Sequence, residues 1–443
     1  MTFNDLNLNT PLRNALQNLG YTTPTTIQQK AFSVIMSGKD VCGIAQTGTG
    51  KTFAYLLPIL RSWVYTKDKN PQALIIVPTR ELVVQVIEAI KDLSTYLTIR
   101  SVGVYGGVNI NTQKLAVEDG VDIMVGTPGR LIDLIYDASI KTKNIKKLVI
   151  DEVDEMLNLG FRTQLKNILD TLPLKRQNLM FSATMTEEVD QLIDTFFNCP
   201  ITIEAAPTGT PLVNIEQMVY RVPNFYTKVN LLKLILTNDE TMTKVLVFVA
   251  TKQMADEIYN ELEQIFTERI GVIHSNKHQN HRLNTVTSFQ DGKYQYLIAT
   301  DIIARGLDIS EVTHVINFDT PEIAESYIHR IGRTGRADRK GIAITFVGDR
   351  EVESFEKIEA LMNVKVPENE LPENLIISDV LTEDEKPKVK MKTFLVKPPK
   401  KEAVGPAFHE KSAKNSKVNF KVSHKDKMMK KYGKPIKKSG KKK

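Results

Sequence analysis

Cysteine, tryptophan and long apolar runs are scarce in this chain of 443 residues. Its two cysteines, Cys42 and Cys199, are too few for a disulfide framework and fit a reducing compartment. No apolar stretch approaches the roughly 20 residues that a membrane span needs. The start of the chain lacks the basic segment and apolar run of a signal peptide. These absences predict a soluble, cytoplasmic protein with no membrane partner.

The net charge of +7 hides an uneven distribution. Residues 386–443 contain 21 lysines, no arginine and three acidic residues, which amounts to +18, so residues 1–385 carry −11. Blocks of like charge are typically disordered, and basic blocks often bind polyanions. We therefore predict a disordered basic tail that attracts nucleic acid. A tail that only keeps the protein in solution is the alternative.

Short apolar runs, several of them rich in β-branched residues, alternate with helix-like segments in two successive series. This alternation predicts an α/β fold with parallel sheets that are covered by helices on both faces. Ligands of such sheets bind beyond the carboxyl ends of the strands. The predicted strands span residues 41–44, 73–77, 122–125, 147–150 and 178–181, then 245–249, 270–273, 296–299, 313–317 and 342–347.

Length and composition favour two domains, because a chain with 42% hydrophobic residues can bury a core in each half. A segment rich in proline, glycine and threonine separates the two series of strands. We predict a first domain over residues 1–205, a linker over 206–213 and a second domain over 214–367. Residues 368–443 are predicted to form a low-complexity, lysine-rich tail.

A phosphate-loop pattern follows the first predicted strand, with Ala45 in place of the usual first glycine. Gly48 and Gly50 let backbone amides turn toward phosphates, Lys51 offers a cation to the β- and γ-phosphates, and Thr52 offers a hydroxyl to Mg²⁺. The pattern predicts a nucleoside triphosphate site. Its residues are Ala45, Gln46, Thr47, Gly48, Thr49, Gly50, Lys51 and Thr52.

Two adjacent carboxylates, Asp151 and Glu152, follow another predicted strand. One can hold Mg²⁺, and its neighbour can orient and deprotonate a water molecule. On its own this pair could equally begin a helix. Together with Lys51 and Thr52, it predicts a site of nucleotide hydrolysis.

Three arginines, Arg330, Arg333 and Arg336, are spaced three residues apart far downstream. On a helix this spacing places them roughly on one face. Guanidinium groups clustered without intervening acids favour a bound anion, and a γ-phosphate would suit them. We expect the two domains to close over one nucleotide. A surface that binds RNA phosphates is the alternative.

In order and content, these motifs resemble those of the DEAD-box ATP-dependent RNA helicases of superfamily two, of the bacterial type with a basic tail, over residues 3–363. The resemblance implies two tandem RecA-like domains. It rests on GYTTPTTIQ at 20–28, AQTGTGKT at 45–52, PTREL at 78–82, GG at 106–107, TPGR at 127–130, DEVD at 151–154, SAT at 182–184, VFVAT at 247–251, QNHR at 279–282, ATDIIARGLDI at 299–309 and HRIGRTGR at 329–336.

The resemblance also implies a role for each matching residue, with ATP and Mg²⁺ as cofactors. Beside the phosphate loop, adenosine would meet Phe3, Tyr21, Gln28 and Asp308. Catalysis would use Lys51, Asp151, Glu152, Arg333 and Arg336, with Thr52 and Asp151 on the metal. The domains would be coupled through Asp154, Ser182, Thr184 and His329. RNA would contact Pro78, Thr79, Arg80, Gly107, Thr127, Arg130, Thr251, Thr300 and Arg305.

Two positions depart from the family pattern. Val153 replaces the alanine of the family name, and Ser275 with Asn276 replaces a frequent glycine–aspartate pair. We expect little chemical effect from Val153. The loss of the acid makes the loop around Ser275 and Asn276 more basic, which either holds the RNA backbone more tightly or is neutral drift on a surface loop, and drift is slightly favoured. The sequence thus predicts an ATP-dependent RNA helicase that binds RNA regardless of sequence and locally unwinds short duplexes or remodels RNA–protein complexes. An ATP-gated RNA clamp is one alternative, and a DNA helicase is a second, against which the PTREL, TPGR and GYTTPTTIQ motifs argue. Ribosome assembly and mRNA decay are settings suggested by family analogy alone.

Overall fold

The computed structural model describes residues 1–46, 48–205, 214–239, 241–301, 309, 312–335, 340–386, 429–431 and 433. The chain divides into two units, residues 1–386 and residues 387–443. The predicted linker at 206–213 and most of the predicted tail lie outside the described residues. All that follows concerns the first unit, in which we call the described part of 1–205 the first lobe and that of 214–386 the second lobe.

Among the described residues, the strands form two sheets of seven strands each, and all neighbouring strands are parallel. The first lobe contains β1 (Val41–Ile44), β2 (Ala73–Ile76), β3 (Ser101–Val104), β4 (Ile123–Gly126), β5 (Lys147–Asp151), β6 (Gln177–Ser182) and β7 (Ile201–Glu204). The second lobe contains β8 (Ile215–Arg221), β9 (Val245–Val249), β10 (Ile270–Ile273), β11 (Tyr296–Thr300), β12 (His314–Asn317), β13 (Gly341–Val347) and β14 (Glu368–Asn369).

Helices connect most of the strands. Those of the first lobe are α1 (Thr10–Asn18), α2 (Thr26–Met36), α3 (Lys51–Arg61), α4 (Arg80–Leu93), α5 (Ile110–Glu118), α6 (Pro128–Tyr136), α7 (Val153–Asn158), α8 (Arg162–Thr171) and α9 (Glu187–Phe196). Those described in the second lobe are α10 (Phe225–Asn238), α11 (Lys252–Glu263), α12 (Gln279–Gln290), α13 (Ala324–Ile331) and α14 (Val352–Met362). None of the described helices combines the length and apolar character that a membrane crossing requires.

The two sheets share one plan. The strand order is β3-β4-β2-β5-β6-β1-β7 in the first sheet and β10-β11-β9-β12-β13-β8-β14 in the second. Adding seven to each strand number of the first order gives the second order. The fold is therefore a tandem pair of RecA-like α/β lobes, as the sequence predicts.

Both faces of each sheet are buried, because successive side chains of a strand point to opposite faces. On β2, Ala73 and Ile75 belong to one apolar cluster, whereas Leu74 and Ile76 belong to another. On β9, Val245 and Val247 pack on one face and Leu246 and Phe248 on the other. This burial explains why the central strands appear in the sequence as continuous apolar runs.

All ten predicted strands are present, with ends that shift by one residue at several positions. The sequence did not predict β3, β7, β8 and β14. The last of these pairs with β8 and lies within the segment that the sequence assigned to the tail. Residues up to 386 continue along the second lobe, where the Phe225 N–H donates to Glu385 Oε1 at 2.6 Å and Asn224 Nδ2 donates to Ser378 O at 2.5 Å. These contacts satisfy polar groups at the start of α10, so the segment 368–386 is part of the first unit.

Candidate functional site

The phosphate loop connects β1 to the amino end of α3, where free N–H groups favour an anion. Gly48 and Gly50 have φ angles of +84° and +87°, in the left-handed region that glycine adopts without strain. A Cβ on Gly50 would collide with the side-chain amide of Gln28, so a larger residue there would displace Gln28 in addition to straining the backbone. Thr47 lies outside the described residues.

Lys51 is buried at the start of α3, and its Nζ lies 3.4 Å from Glu152 Oε1. Burial alone would lower the pKa of Lys51, but the negative charges of Glu152, Asp151 and Asp154 outweigh burial and raise it. The structure therefore brings the buried ammonium group at the start of α3 next to the two carboxylates at the end of β5.

Asp151 and Glu152 are both buried but differ in their surroundings. Tyr55 Oη donates to Asp151 Oδ2 at 3.0 Å. Burial raises the pKa of Asp151 to about 6, although the charge of Lys51 opposes this shift. Glu152 has a left-handed backbone with φ of +54°, and its buried Oε2 has no hydrogen-bond partner among the described residues.

The pKa of Glu152 shifts the other way. Burial alone would raise it, but the charge of Lys51, followed by those of His329 and Arg333, outweighs burial and lowers it. Two of these three residues, His329 and Arg333, come from the second lobe. The second lobe thus contributes to the electrostatics of a carboxylate that lies in the first.

Asp154 joins residues of both lobes. Its Oδ2 accepts hydrogen bonds from Thr184 Oγ1 at 2.9 Å and from the N–H groups of Ala183 and Thr184 at 3.2 and 3.1 Å. His329 Nε2, on α13, lies 3.5 Å from the same oxygen. Ser182 Oγ donates to Thr184 O at 2.7 Å. Burial would raise the pKa of Asp154, but His329, through its hydrogen bond and its charge, holds it well below the usual range.

Of the three arginines, Arg330 is already paired with a carboxylate of its own lobe. Its guanidinium makes two hydrogen bonds of 2.6 Å to the carboxylate of Asp301 and a third of 2.6 Å to Asp319 O. It also lies 5.3 Å from the centre of the Phe248 ring. Arg333 is buried near Glu152, and Arg336 lies outside the described residues.

The residues expected around adenine lie beside the phosphate loop. Gln28 is buried, its Oε1 accepts from the Thr25 N–H at 3.0 Å, and its Nε2 donates to Gly50 O at 3.1 Å. Phe3 is buried in the core, and Tyr21 is half exposed with its ring edge-on to a neighbouring phenylalanine. Asp308 lies outside the described residues. The structure therefore ties Gln28 directly to the phosphate loop.

The residues expected to contact RNA follow the carboxyl ends of strands in both lobes, so each group lies at one edge of its sheet. In the first lobe, Pro78 is buried, Thr79 caps α4 and Thr127 precedes α6. The guanidinium of Arg80 lies 5.2 Å from the centre of the Tyr105 ring. In the second lobe, Thr251 caps α11 and Thr300 ends β11, while Arg305 lies outside the described residues.

Two of these residues shape the loop after β3. Gly107 has a φ of +81°, and a Cβ there would lie 3.1 Å from Arg80 Nη1. Arg130 is buried, with Nη1 donating to Gln113 Oε1 at 2.6 Å and Nη2 donating to Val108 O at 3.0 Å. Arg130 therefore fixes the position of the loop between β3 and α5 through these two hydrogen bonds.

Comparison with known proteins connects this geometry to one family. Residues 25–192 match the family model described as DEAD/DEAH box helicase, and residues 227–338 match the model of the helicase conserved C-terminal domain. The chain is 41% identical to the RNA helicase CrhR of Synechocystis, over 78% of this chain and 70% of that protein. It is 39% identical to the DEAD-box ATP-dependent RNA helicase CshA of Geobacillus kaustophilus, over 81% of this chain and 76% of that protein. The chain belongs to the DEAD-box RNA helicase family.

A solved structure has the same fold as most of this DEAD-box helicase. The structure of S. cerevisiae Dbp5 bound to RNA and ADP BeF3 matches it with a TM-score of 0.74 and 29% identity, covering 83% of this chain and 95% of that chain. DEAD-box helicases use ATP, and RNA stimulates their hydrolysis of it. The protein is accordingly an RNA-stimulated ATPase and an RNA helicase.

The sequence missed one contact between the lobes of this DEAD-box helicase. Arg282 Nη1, on α12, lies 3.3 Å from Glu81 Oε1, on α4, and both side chains are largely buried. Each residue stands inside a motif that the sequence reveals, PTREL and QNHR. Nothing in either motif identifies the other as its partner, because the two segments lie far apart in the chain.

Proposed function

We propose that this DEAD-box helicase binds ATP and RNA across its two lobes and uses hydrolysis to unwind short duplexes locally or to remodel RNA–protein complexes. The observation that carries the proposal is the set of contacts on Asp154. This one carboxylate bonds Thr184 in the first lobe and lies next to His329 in the second. A change in the nucleotide site can therefore reach the second lobe through a single buried group.

In this proposal, the first lobe holds the triphosphate. The amides of the phosphate loop and the ammonium group of Lys51 would neutralise phosphate oxygens. Thr52 and Asp151 would hold a Mg²⁺ ion, which would supply further positive charge. Two observations support a cation at this place. Asp151 has a pKa raised to about 6, and Glu152 carries a buried oxygen without a described partner. A bound cation would stabilise the ionised form of Asp151, and an ordered water would give Glu152 Oε2 a hydrogen-bond donor.

Glu152 accepts the proton of the attacking water in this scheme. Its lowered pKa keeps it ionised, and its left-handed backbone turns it away from the course of β5. Arg333 lies close enough to Glu152 for its charge to lower the pKa of that residue. In this scheme Arg333 stabilises the negative charge that develops on the γ-phosphate. We propose the same function for Arg336 from its place in the motif alone.

Nucleotide choice rests on Gln28, with Phe3, Tyr21 and Asp308 around the adenosine. The amide of Gln28 donates one hydrogen to Gly50 O and has a second hydrogen and a second acceptor lone pair for the adenine edge. Because this side chain also touches the phosphate loop, base recognition and triphosphate binding would be linked.

RNA binding would be independent of sequence, since the residues at the strand ends are threonines, arginines and glycines suited to phosphates and 2′-hydroxyls. The likeness to the Dbp5 structure, which is bound to RNA, supports RNA as the partner. Pro78, Thr79, Arg80, Gly107, Thr127, Thr251, Thr300 and Arg305 would face the strand, and Arg130 would position the loop that carries Gly107. The settings of ribosome assembly and mRNA decay, and the cytoplasmic location, stay predictions.

Strand displacement tests the proposal. A short RNA duplex with a single-stranded extension is incubated with ATP and the wild-type enzyme, the Glu152→Gln variant or the control Glu88→Gln, which changes an exposed glutamate of α4. ATP-dependent displacement by the wild type and the control, and not by Glu152→Gln, supports unwinding. ATP-dependent retention of RNA without displacement by any protein would favour the clamp.

A further inference from the structure

A broad groove lies at the edge of the first sheet where the strands begin, opposite the edge that carries the phosphate loop. It has a volume of about 1490 Å³ and runs between the starts of β1, β5 and β6 and the ends of α8 and α9. Asp40 lines the groove and connects its segments. Its carboxylate accepts hydrogen bonds from the backbone and side chain of Asn178 and from the Asn198 N–H at 2.8–3.0 Å.

The groove is basic, although residues 1–385 carry a net charge of −11. Its cations are Lys39, Lys146, Lys166, Lys175 and Arg176, and its acids are Asp40 and Asp170. Asp40 is buried and accepts three hydrogen bonds, and Asp170 pairs with Lys166 at 2.8 Å. Lys39 and Lys175 are exposed, and no side-chain partner is found for either within the described ranges of the first unit.

Apolar surface lies among these cations. Leu174 is fully exposed, immediately before Lys175 and Arg176. Phe196 and Phe197 line the groove nearby and are partly buried against the core. The groove thus offers unpaired ammonium groups beside an uncovered leucine.

These features favour one kind of occupant. Many grooves for single-stranded nucleic acid combine positive charge with exposed rings on which bases stack, but the two phenylalanines here are packed against the core. The guanidinium of Arg176 is already engaged by Asn178 Oδ1 and Pro173 O at 2.8 and 2.7 Å. The chain's own basic tail has the same sign of charge as the groove and would be repelled.

We propose that the groove binds an acidic peptide segment of a partner protein, with carboxylates on Lys39 and Lys175 and an apolar side chain against Leu174. The site lies at the opposite end of the first sheet from the nucleotide and the RNA face. A partner can therefore hold the helicase without covering either.

Fluorescence anisotropy with a labelled synthetic peptide of glutamate and leucine tests the proposal on the full-length protein. The variant Lys39→Glu with Lys175→Glu should bind the peptide about tenfold more weakly at low salt, because two attractions become repulsions. Leu174→Ser should weaken binding with little change in its salt dependence. Both should keep RNA-stimulated ATPase, which shows that they fold.

The matched control is Lys293→Glu with Lys357→Glu, two exposed lysines of the second lobe. It has the same net charge as the groove variant and the same tail, so any peptide binding by the tail weakens equally in both. Unchanged peptide affinity in the control supports the groove. Equal weakening in both pairs, no weakening in either, or a groove variant that loses affinity for single-stranded RNA and not for the peptide would overturn the proposal.

Discussion

Two neighbouring carboxylates have pKa values that shift in opposite directions. Burial is the largest influence on both and favours the neutral form. For Glu152, interactions with Lys51, His329 and Arg333 outweigh burial and lower the pKa, whereas Asp151 keeps a pKa of about 6. Such divergence separates the functions of adjacent acids. Glu152 is therefore ionised and able to accept a proton. The ionised form of Asp151 stays disfavoured until a cation binds.

The first prediction concerns Asp151 in the nucleotide-free protein. Its folded pKa of about 6 lies above the ordinary value of 3.8, so the wild type loses stability as pH rises through about 6. Asp151→Asn cannot ionise and avoids this loss. Its free energy of unfolding should exceed that of the wild type by about 2 kcal/mol near pH 8 and should match it near pH 4.

Urea unfolding followed by tryptophan fluorescence makes this measurement, because the only tryptophan, Trp63, lies in the first lobe. Asp92→Asn changes an exposed aspartate of α4 in the same way and should show no such pH-dependent gain. A gain for Asp151→Asn that is the same at both pH values would contradict the raised pKa.

The second prediction concerns Glu152. Glu152→Gln keeps the size of the side chain and removes the base. The variant should bind ATP and RNA yet hydrolyse ATP about 10²- to 10⁴-fold more slowly. Single-turnover hydrolysis with saturating RNA is the measurement, and Glu88→Gln should behave as the wild type. Wild-type turnover by Glu152→Gln would remove this residue from catalysis.

At the scale of elements, the sequence predicts the central strands and misses the strands with less burial. Central strands such as β5 and β9 are apolar on both faces and form continuous runs. By contrast, β7 pairs only with β1 among the described strands and is mostly exposed or partly exposed, and β3 has only four residues, three of them partly buried. Short edge strands depend on a neighbour for their hydrogen bonds, and that neighbour is distant in sequence.

The same limit applies to side-chain partners. The phosphate loop and the two carboxylates could be placed from local pattern, because each follows a strand. The pairing of Arg330 with Asp301 and of Arg282 with Glu81 could not, since each joins separate elements. Arginines three apart looked alike in the sequence, and only the fold shows that Arg330 is already neutralised.

The third prediction concerns the contact between α4 and α12. Glu81→Ala and Arg282→Ala should each raise the RNA concentration for half-maximal ATPase stimulation by about tenfold, because each removes a buried ion pair across the lobes. The double variant should be little worse than either single variant, which is the signature of direct coupling. Lys166→Ala with Asp170→Ala, an exposed pair, should have no effect. Strictly additive effects would show that Glu81 and Arg282 act independently.

At the scale of the whole molecule, the two lobes have the same strand order. Residues that come after the carboxyl ends of strands in one lobe contact such residues in the other. Asp154 with His329, and Glu81 with Arg282, join residues that follow those ends. The tandem plan could be predicted from the two series of apolar runs. The closeness of the lobes could not, because no local pattern encodes which residues of one lobe meet the other.

The fourth prediction concerns residues 387–443, which form the second unit. Their lysines suit diffuse attraction to phosphates more than base recognition. Deleting them leaves the first unit complete, so ATPase activity at saturating RNA should survive. RNA affinity should fall most at low salt, and the slope of log affinity against log salt should flatten by about 0.7 for each phosphate that the tail no longer neutralises. An unchanged slope would indicate that the tail does not bind RNA.

The most direct test of a nucleotide site that spans both lobes is RNA-stimulated ATP turnover by Arg333→Ala in the full chain. Arg333 belongs to the second lobe, whereas the phosphate loop belongs to the first. Turnover should fall by about 10³-fold while ATP affinity changes only a few-fold, and Arg269→Ala, an exposed arginine of the same lobe, should match the wild type. Full RNA-stimulated turnover by Arg333→Ala would contradict a site completed by the second lobe.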